Sequence, residues 1–600
     1  METLSIFERN IQAVKNKINL DNIKSVEEKI NYFAENHTSS GYSFPDFSEE
    51  QIAECAKAYD TNQMNRIIIF LGLSDGRLIG NALGCIDDTC KILIVEPETS
   101  VIFAAMKEID YSEILADDRV ILLLEGINMN ALHALLQCVV DYTNKNNVSM
   151  TTLPGYEKYQ ALREDIGAIL AAIYKREIAN KNTDLVIAES TRENILKNMP
   201  NAIMQHSLNQ LVKTMIQIDK EGYPAIIVSA GPSLDNNVEQ LRKVQNRAFV
   251  IAVDTAMKTL LRHEIMPDIL VCIDSRKVPQ FFEHEDFKNI PLLLDVEAPP
   301  FVVEKHSDSN YYIVSSYNAL NCYANVLTGD AYGEARQGGS VAHTAMSTAV
   351  MMGFKNIILV GQDLAFTGDK LHTKDAYDDE ELNKKHAQNN AFETWVEGVD
   401  GSRVRTDQSM VIFREWIENL IASKPDVHFI DATEGGALIH GTEILSLESA
   451  IGRECRTEHG EVAEVIANIP TLFTEEQQEM IFAELRNFEQ IVDNLKIQLN
   501  YGIKAYNALR IALENNDNAK AQEAMQIVSK VNEMEDTNPI MPMVEKYIIK
   551  EKYEIRSQLY DTGDESIENT IDGAIKLLEA YILGIDEFKK DIPLLTGQLV

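Results

Sequence analysis

Residues 224–234 read PAIIVSAGPSL, a short apolar run that stops at Gly231-Pro232-Ser233. The run is too short for a helix, and the breaker falls where a strand would meet a loop. Similar Ile-, Leu- and Val-rich runs recur downstream as AFVIAVD, DILVCID, PLLLDVE, YYIVSS, NIILVG and HFIDA. Helix-like stretches such as LDNNVEQLRKVQN and TAMKTLLRHEI separate several of them. This alternation predicts an α/β fold: a central Rossmann-like, doubly wound sheet of six or seven mostly parallel strands over residues 191–450.

The flanks differ from this centre. Upstream, RIIIFLGLSDGRLIGNAL, KILIVEPETSVIFAAM and RVILLLEG predict a smaller N-terminal α/β domain over residues 1–190. Gly72, Gly76 and Gly80 follow its first strand, and Glu96 ends the next. The glycine spacing is looser than GxGxxG, so a dinucleotide loop and simple close packing of helix on strand both fit. After residue 451 the strands stop. Ile481, Leu485, Phe488, Val492, Leu495 and Leu499 form one apolar stripe, and Thr474 with Gln477 makes a capping box at its start. A C-terminal helical domain over residues 451–600 is expected, built for packing or for docking a protein partner.

Composition narrows the class of function. The chain has 600 residues and a formal net charge of -38, which disfavours nucleic acid as a partner. Seven scattered cysteines read as reduced thiols, and no apolar run approaches the ~20 residues of a membrane span. A cytoplasmic protein with no membrane partner is expected.

Convergent polarity gathers in the centre. Ser229, Gly231, Pro232 and Ser233 lie past one strand, and the next two runs end at Asp254 and Asp274. Ligands of open parallel sheets collect at such carboxyl ends. Each acid alone also fits a helix cap or a turn. Farther on, Gly338, Gly339 and Ser340 open a helix of small residues, and the following strand ends at Gly361, Gln362 and Asp363. A polar loop then carries Thr367, Lys370, His372 and Thr373, with His343 and His372 as the histidine candidates.

The strings AIIVSAGPSLDNNVEQL, DILVCIDS and GGSVAHTAMSTAVMMGFKNIILVGQDLAFTGDKLHT resemble the central domain of the motility-associated factor family. These are bacterial flagellin glycosyltransferases that use nonulosonic acids, and their central domain is similar to bacterial CMP-sialic acid sialyltransferases. The resemblance implies transfer of a nonulosonic acid from a CMP-linked donor to Ser or Thr hydroxyls of flagellin, the protein acceptor. It implies no required cofactor, although Asp254 and Asp274 leave room for a divalent ion. It places Ser229, Gly231, Pro232, Ser233, Asp254, Asp274, Gly338, Gly339, Ser340 and Gln362 around the donor nucleotide, and Asp363 in the Gly-x-Asp turn of the active site. Amides near Gly231 and Gly339 would meet the leaving phosphate, and Arg336, Lys370 or Arg403 the donor carboxylate. Two departures stand out: the sialyltransferases have Asn where this chain has Asp254 and Asp274, and their catalytic His is missing before Thr406 and Asp407. His372 and Asp407 are therefore the alternatives for general base. The same motifs also resemble a pterin diphosphokinase, and a non-catalytic flagellin-binding or chaperone role is the remaining alternative.

Overall fold

Every residue of Ile67–Leu71 (β1) is buried, on both faces of the strand, as a parallel sheet covered by helices requires. In this computed structural model the residues described are 4–18, 24–36, 44, 48–50, 52, 57–59, 65–141, 144–145, 147–306, 311–314, 318–367, 370–376, 393–560 and 567–596. They fall into two units: Met1–Leu185, Gly502–Val528 and Ile549–Ala580 form the first, and Val186–Tyr501, Ser529–Ile548 and Tyr581–Val600 the second.

In the first unit β1 is joined by Lys91–Glu96 (β2), Val120–Leu124 (β3) and Val148–Thr152 (β4) in the order β3-β2-β1-β4, every pair parallel. The sequence predicts only the first three. Strand β4 reads VSMTT, half-buried throughout, so it has no apolar run to betray it.

The glycine loop after β1 is filled by the chain's own groups. Gly72 takes φ +101°, and a Cβ there would lie 2.5 Å from the Tyr156 ring. The buried Glu96 carboxylate accepts from Leu73 N (2.7 Å), Glu98 N (2.5 Å) and the Tyr156 hydroxyl (2.8 Å). Burial outweighs these donors and raises the Glu96 carboxyl to about 7. Close packing is thus the reading of this loop that the structure supports.

The second unit holds a nine-stranded sheet among the described residues. Its strands are His206–Ser207 (β5), Ala225–Val228 (β6), Phe249–Val253 (β7), Ile269–Cys272 (β8), Leu292–Leu294 (β9), Tyr311–Ile313 (β10), Asn356–Val360 (β11), His428–Asp431 (β14) and Glu443–Ile444 (β15). Between β11 and β14 lies a separate antiparallel hairpin, Glu393–Glu397 (β12) and Arg403–Asp407 (β13). The large sheet is parallel throughout, in the order β15-β14-β11-β6-β7-β8-β9-β10-β5. The expected six or seven strands become nine because β5 and β15 are two-residue edge strands, too short for any apolar pattern. From β6 the chain winds through β7 to β10, then returns to the other side of β6 as β11. Helix Val341–Met351 packs on β6, β7 and β8 with Ala342 through Ala349 buried, which its small side chains permit.

Among the C-terminal helices, Thr474 and Gln477 form the capping box reciprocally. The stripe is interrupted at Asn487, between helices Glu475–Arg486 and Phe488–Glu514, yet all six of its residues are buried. No helix among the described residues is long and apolar enough to cross a membrane.

Glu96 yields a prediction. Its folded pKa of about 7 lies above the ordinary value of 4.5, so the folded chain holds a proton that the unfolded chain releases. This contribution is fully present below about pH 4.5 and is lost as pH rises through about 7, up to about 3 kcal/mol. Glu96→Gln should flatten the fall of the denaturant midpoint between about pH 5 and pH 8; an unchanged slope would refute the assignment.

Candidate functional site

The reversal of winding between β6 and β11 opens a crevice outside their carboxyl ends, where doubly wound sheets bind ligands. The turn after β6 and the turn after β11 are tied together across it. Ser229 N donates to Val360 O and Gly231 N to Gly361 O, each at 2.8 Å. The Ser229 hydroxyl donates to Gln362 Oε1 at 2.6 Å.

Asp363 is the centre of this tie. Its carboxylate accepts from the Ser233 hydroxyl (2.6 Å), Ser233 N (3.2 Å) and the Thr367 hydroxyl (2.8 Å). It is almost wholly buried, which raises its pKa despite these donors. A Cβ on Gly231 would sit 2.0 Å from Asp363 Oδ2 and 2.5 Å from Gly361 O, so only glycine admits this approach. Gly361 itself takes φ +67°.

One expectation changes here. The Gly231 and Ser233 amides are spent on Gly361 and Asp363, Pro232 has none, and Leu234 N donates to Gly231 O at 3.1 Å. The turn shapes the crevice without offering those amides to a phosphate. Donors of that kind lie instead at Gly338, Gly339 and Ser340. The helix they open runs back toward the start of β11, so its N-terminus sits at the carboxyl edge of the sheet. Ser340 occupies the cap position with no side-chain cap bond, and the helix dipole there favours an anion.

The neighbouring strand ends carry acids. Asp254 is fully buried and its pKa is raised by that burial. Its Oδ1 lies 3.0 Å from Lys277 Nζ and accepts from Thr255 N, while Oδ2 meets no donor among the described residues. Lys277 Nζ is also 3.6 Å from Asp274. The ammonium occupies the place between the two carboxylates that a divalent ion would take, so the pair does not fit a metal as arranged. Sequence reading missed Lys277 and two further buried strand-end acids, Asp295 after β9 and Asp431 at the end of β14. Both follow the strand-then-Asp signature that singled out Asp254. Burial and Asp363 raise the Asp431 carboxyl to about 6.

The other candidates are dispersed. Asp407 caps helix Gln408–Ala422, accepting from Met410 N at 2.9 Å. His372 is half-buried in the loop whose next residue, Thr373, donates to Ala230 O at 2.9 Å, which anchors this segment to the turn after β6. His343 is buried against Trp416, with ring centroids 4.2 Å apart, and burial lowers its pKa to about 4. The Arg336 guanidinium lies over the Trp416 ring, and Lys370 N donates to Thr367 O at 3.2 Å. Arg403 lines a pocket of about 490 Å³ beside the Asp363 turn, together with Arg405, a residue not singled out from sequence.

These features define an α/β protein with a doubly wound parallel sheet and buried polar groups gathered at its switch point. Residues 193–369 match the family model described as 6-hydroxymethylpterin diphosphokinase MptE-like. Among solved structures the chain is similar to the MAf glycosyltransferase of Magnetospirillum magneticum AMB-1, with a TM-score of 0.56 at 16% identity over 98% of this chain and 97% of that one. The likeness therefore extends beyond the central sheet to almost the whole length of both proteins. No curated protein matches the chain.

Gly231→Ala should lower the thermal unfolding midpoint, with a cost of roughly 2 kcal/mol or more, because neither the buried carboxylate nor the Gly361 carbonyl has room to retreat. A midpoint within error of the parent would show that the two turns are not locked together.

Proposed function

We propose that the chain is a glycosyltransferase that moves a nonulosonic acid from a CMP-linked donor to Ser or Thr hydroxyls of flagellin. The observation that carries this reading is the likeness of fold, over almost the full chain, to a protein described as a MAf glycosyltransferase. The switch-point crevice suits a nucleotide: Asp254 and Asp274 stand at the ends of β7 and β8, where ribose hydroxyls are met in such sheets. Gly338, Gly339 and Ser340 supply an uncapped helix start for the phosphate.

In the proposed reaction the acceptor hydroxyl oxygen bonds to the anomeric carbon. The bond from that carbon to the phosphate oxygen breaks, and CMP leaves with the electron pair. A base takes the hydroxyl proton. Asp363 and Asp407 already accept from backbone amides, at Ser233 and Met410. We assign the base to His372, on the loop that Thr373 anchors to the turn after β6. Asp363 acts by holding the two turns in place.

Incubating the chain with flagellin and a CMP-nonulosonic acid, then weighing flagellin by mass spectrometry, tests the reading. A gain of one sugar mass supports it, and flagellin of unchanged mass refutes it. Replacing His372 by Ala should slow transfer by roughly 100-fold or more. Asp407→Asn, which keeps the helix cap, should cost far less.

A second reading has one observation in its favour, the family model over residues 193–369 with its diphosphokinase description. Under that reading ATP and a hydroxymethylpterin would yield AMP and the pterin diphosphate. Formation of AMP that depends on the pterin would select it over sugar transfer.

A further inference from the structure

The pocket beside the Asp363 turn is lined chiefly by the β12–β13 hairpin and the turn at Glu434–Gly436. Its walls are fixed. Val399 N donates to Gly436 O (3.1 Å) and Leu438 N to Glu397 O (2.8 Å), which staples the hairpin to the turn. Phe366, buried, lies beneath the Arg405 guanidinium at 4.7 Å from its ring centroid. Thr367 lines the pocket and donates to Asp363, so the pocket adjoins the crevice. Gly436, at φ +80°, has no space for a Cβ, which would fall 2.1 Å from the Asp363 carbonyl oxygen.

The lining has a distinct chemistry. Arg403 and Arg405 bring two guanidiniums to one wall in a chain whose net charge is -38. Arg405 also meets Glu393 at 3.3 Å, and Arg403 donates to the Trp395 carbonyl at 3.3 Å. The two acids in the lining are held by backbone amides: Asp400 accepts from Ser402 N (2.9 Å) and Glu434 from Leu447 N (3.0 Å). Trp395, one of two tryptophans in the chain, stands opposite Arg405 in the hairpin register with half its surface exposed. The exposed half of this indole offers a flat apolar face to a ring. Guanidiniums pair with carboxylates through parallel hydrogen bonds. A flat indole beside two guanidiniums suits a ring that carries a carboxylate and hydroxyls: an acidic sugar.

We infer that this pocket seats the carboxylate-bearing ring of the transferred sugar. Arg403 and Arg405 meet its carboxylate, Trp395 lies against its face, and the two arginines set specificity for an acidic over a neutral sugar. The inference rests on the sugar-transfer reading for the identity of its occupant, but not on the nucleotide's presence in the crevice.

The test uses the full chain, titrated with N-acetylneuraminate, with its neutral methyl ester, and separately with CMP. Binding is followed by calorimetry and by tryptophan fluorescence. The acid should bind about tenfold or more tightly than the ester, as loss of a charge-assisted pair predicts. Arg403→Gln should remove most of that ratio, and Trp395→Phe should remove the fluorescence response. Both positions are exposed, so each variant should retain the parent melting temperature. Equal affinity for acid and ester would overturn the inference, as would an unchanged ratio in Arg403→Gln or no saturable binding of the acid. The CMP titration separates the two claims. Acid preference without CMP binding would defeat the CMP-donor reading and leave the pocket assigned, whereas CMP binding without acid preference would defeat the pocket alone.

Discussion

A buried carboxylate holds this site together. Asp363 reaches from the end of β11 to the Ser233 turn after β6 and on to Thr367. Burying a charge is costly unless donors surround it, and here three converge. The cost falls where the sheet reverses its winding, between the adjacent strands β6 and β11, which no local crossover joins. The tie explains why Gly231 and Gly361 are glycines, since each would drive a Cβ into the opposing turn. It also explains why the turn cannot spend its amides on a ligand: it has already spent them on the sheet.

Charge is distributed with the same economy. The chain is strongly acidic, yet the strand-end carboxylates of Asp254 and Asp274 share the Lys277 ammonium. Those of Glu96 and Asp431 are held by hydroxyl and amide donors. In the hairpin two arginines face one pocket, with Glu393 and Glu397 on the facing strand. A field that repels anions at long range therefore coexists with locally placed positive groups, the Ser340 helix start and the two hairpin arginines.

The fold was legible because parallel strands covered on both faces are written as unbroken aliphatic runs, and β6 to β11 are such runs. The elements that escaped are those without that signature: polar β4 at an edge, the two-residue β5 and β15, and the solvent-facing hairpin. The break at Asn487 escaped because the apolar stripe continues through it. Within the site, strand-end residues were readable one at a time, as Asp254 and Asp274 were. Their partners were not, since Lys277 acts through space and the Ser233–Asp363 contact joins residues 130 apart in sequence. A motif marks a glycine and an aspartate; it does not say that one exists to make room for the other.

The β12–β13 hairpin lies wholly within the connection between β11 and β14 and contributes no strand to the large sheet. Its exposed residues can therefore change without altering any register in the large sheet, whereas Thr406 and Asp407, buried and hydrogen-bonded to Leu364 and Met410, are tied to the scaffold. Such an insertion separates what a protein accepts from what keeps it folded.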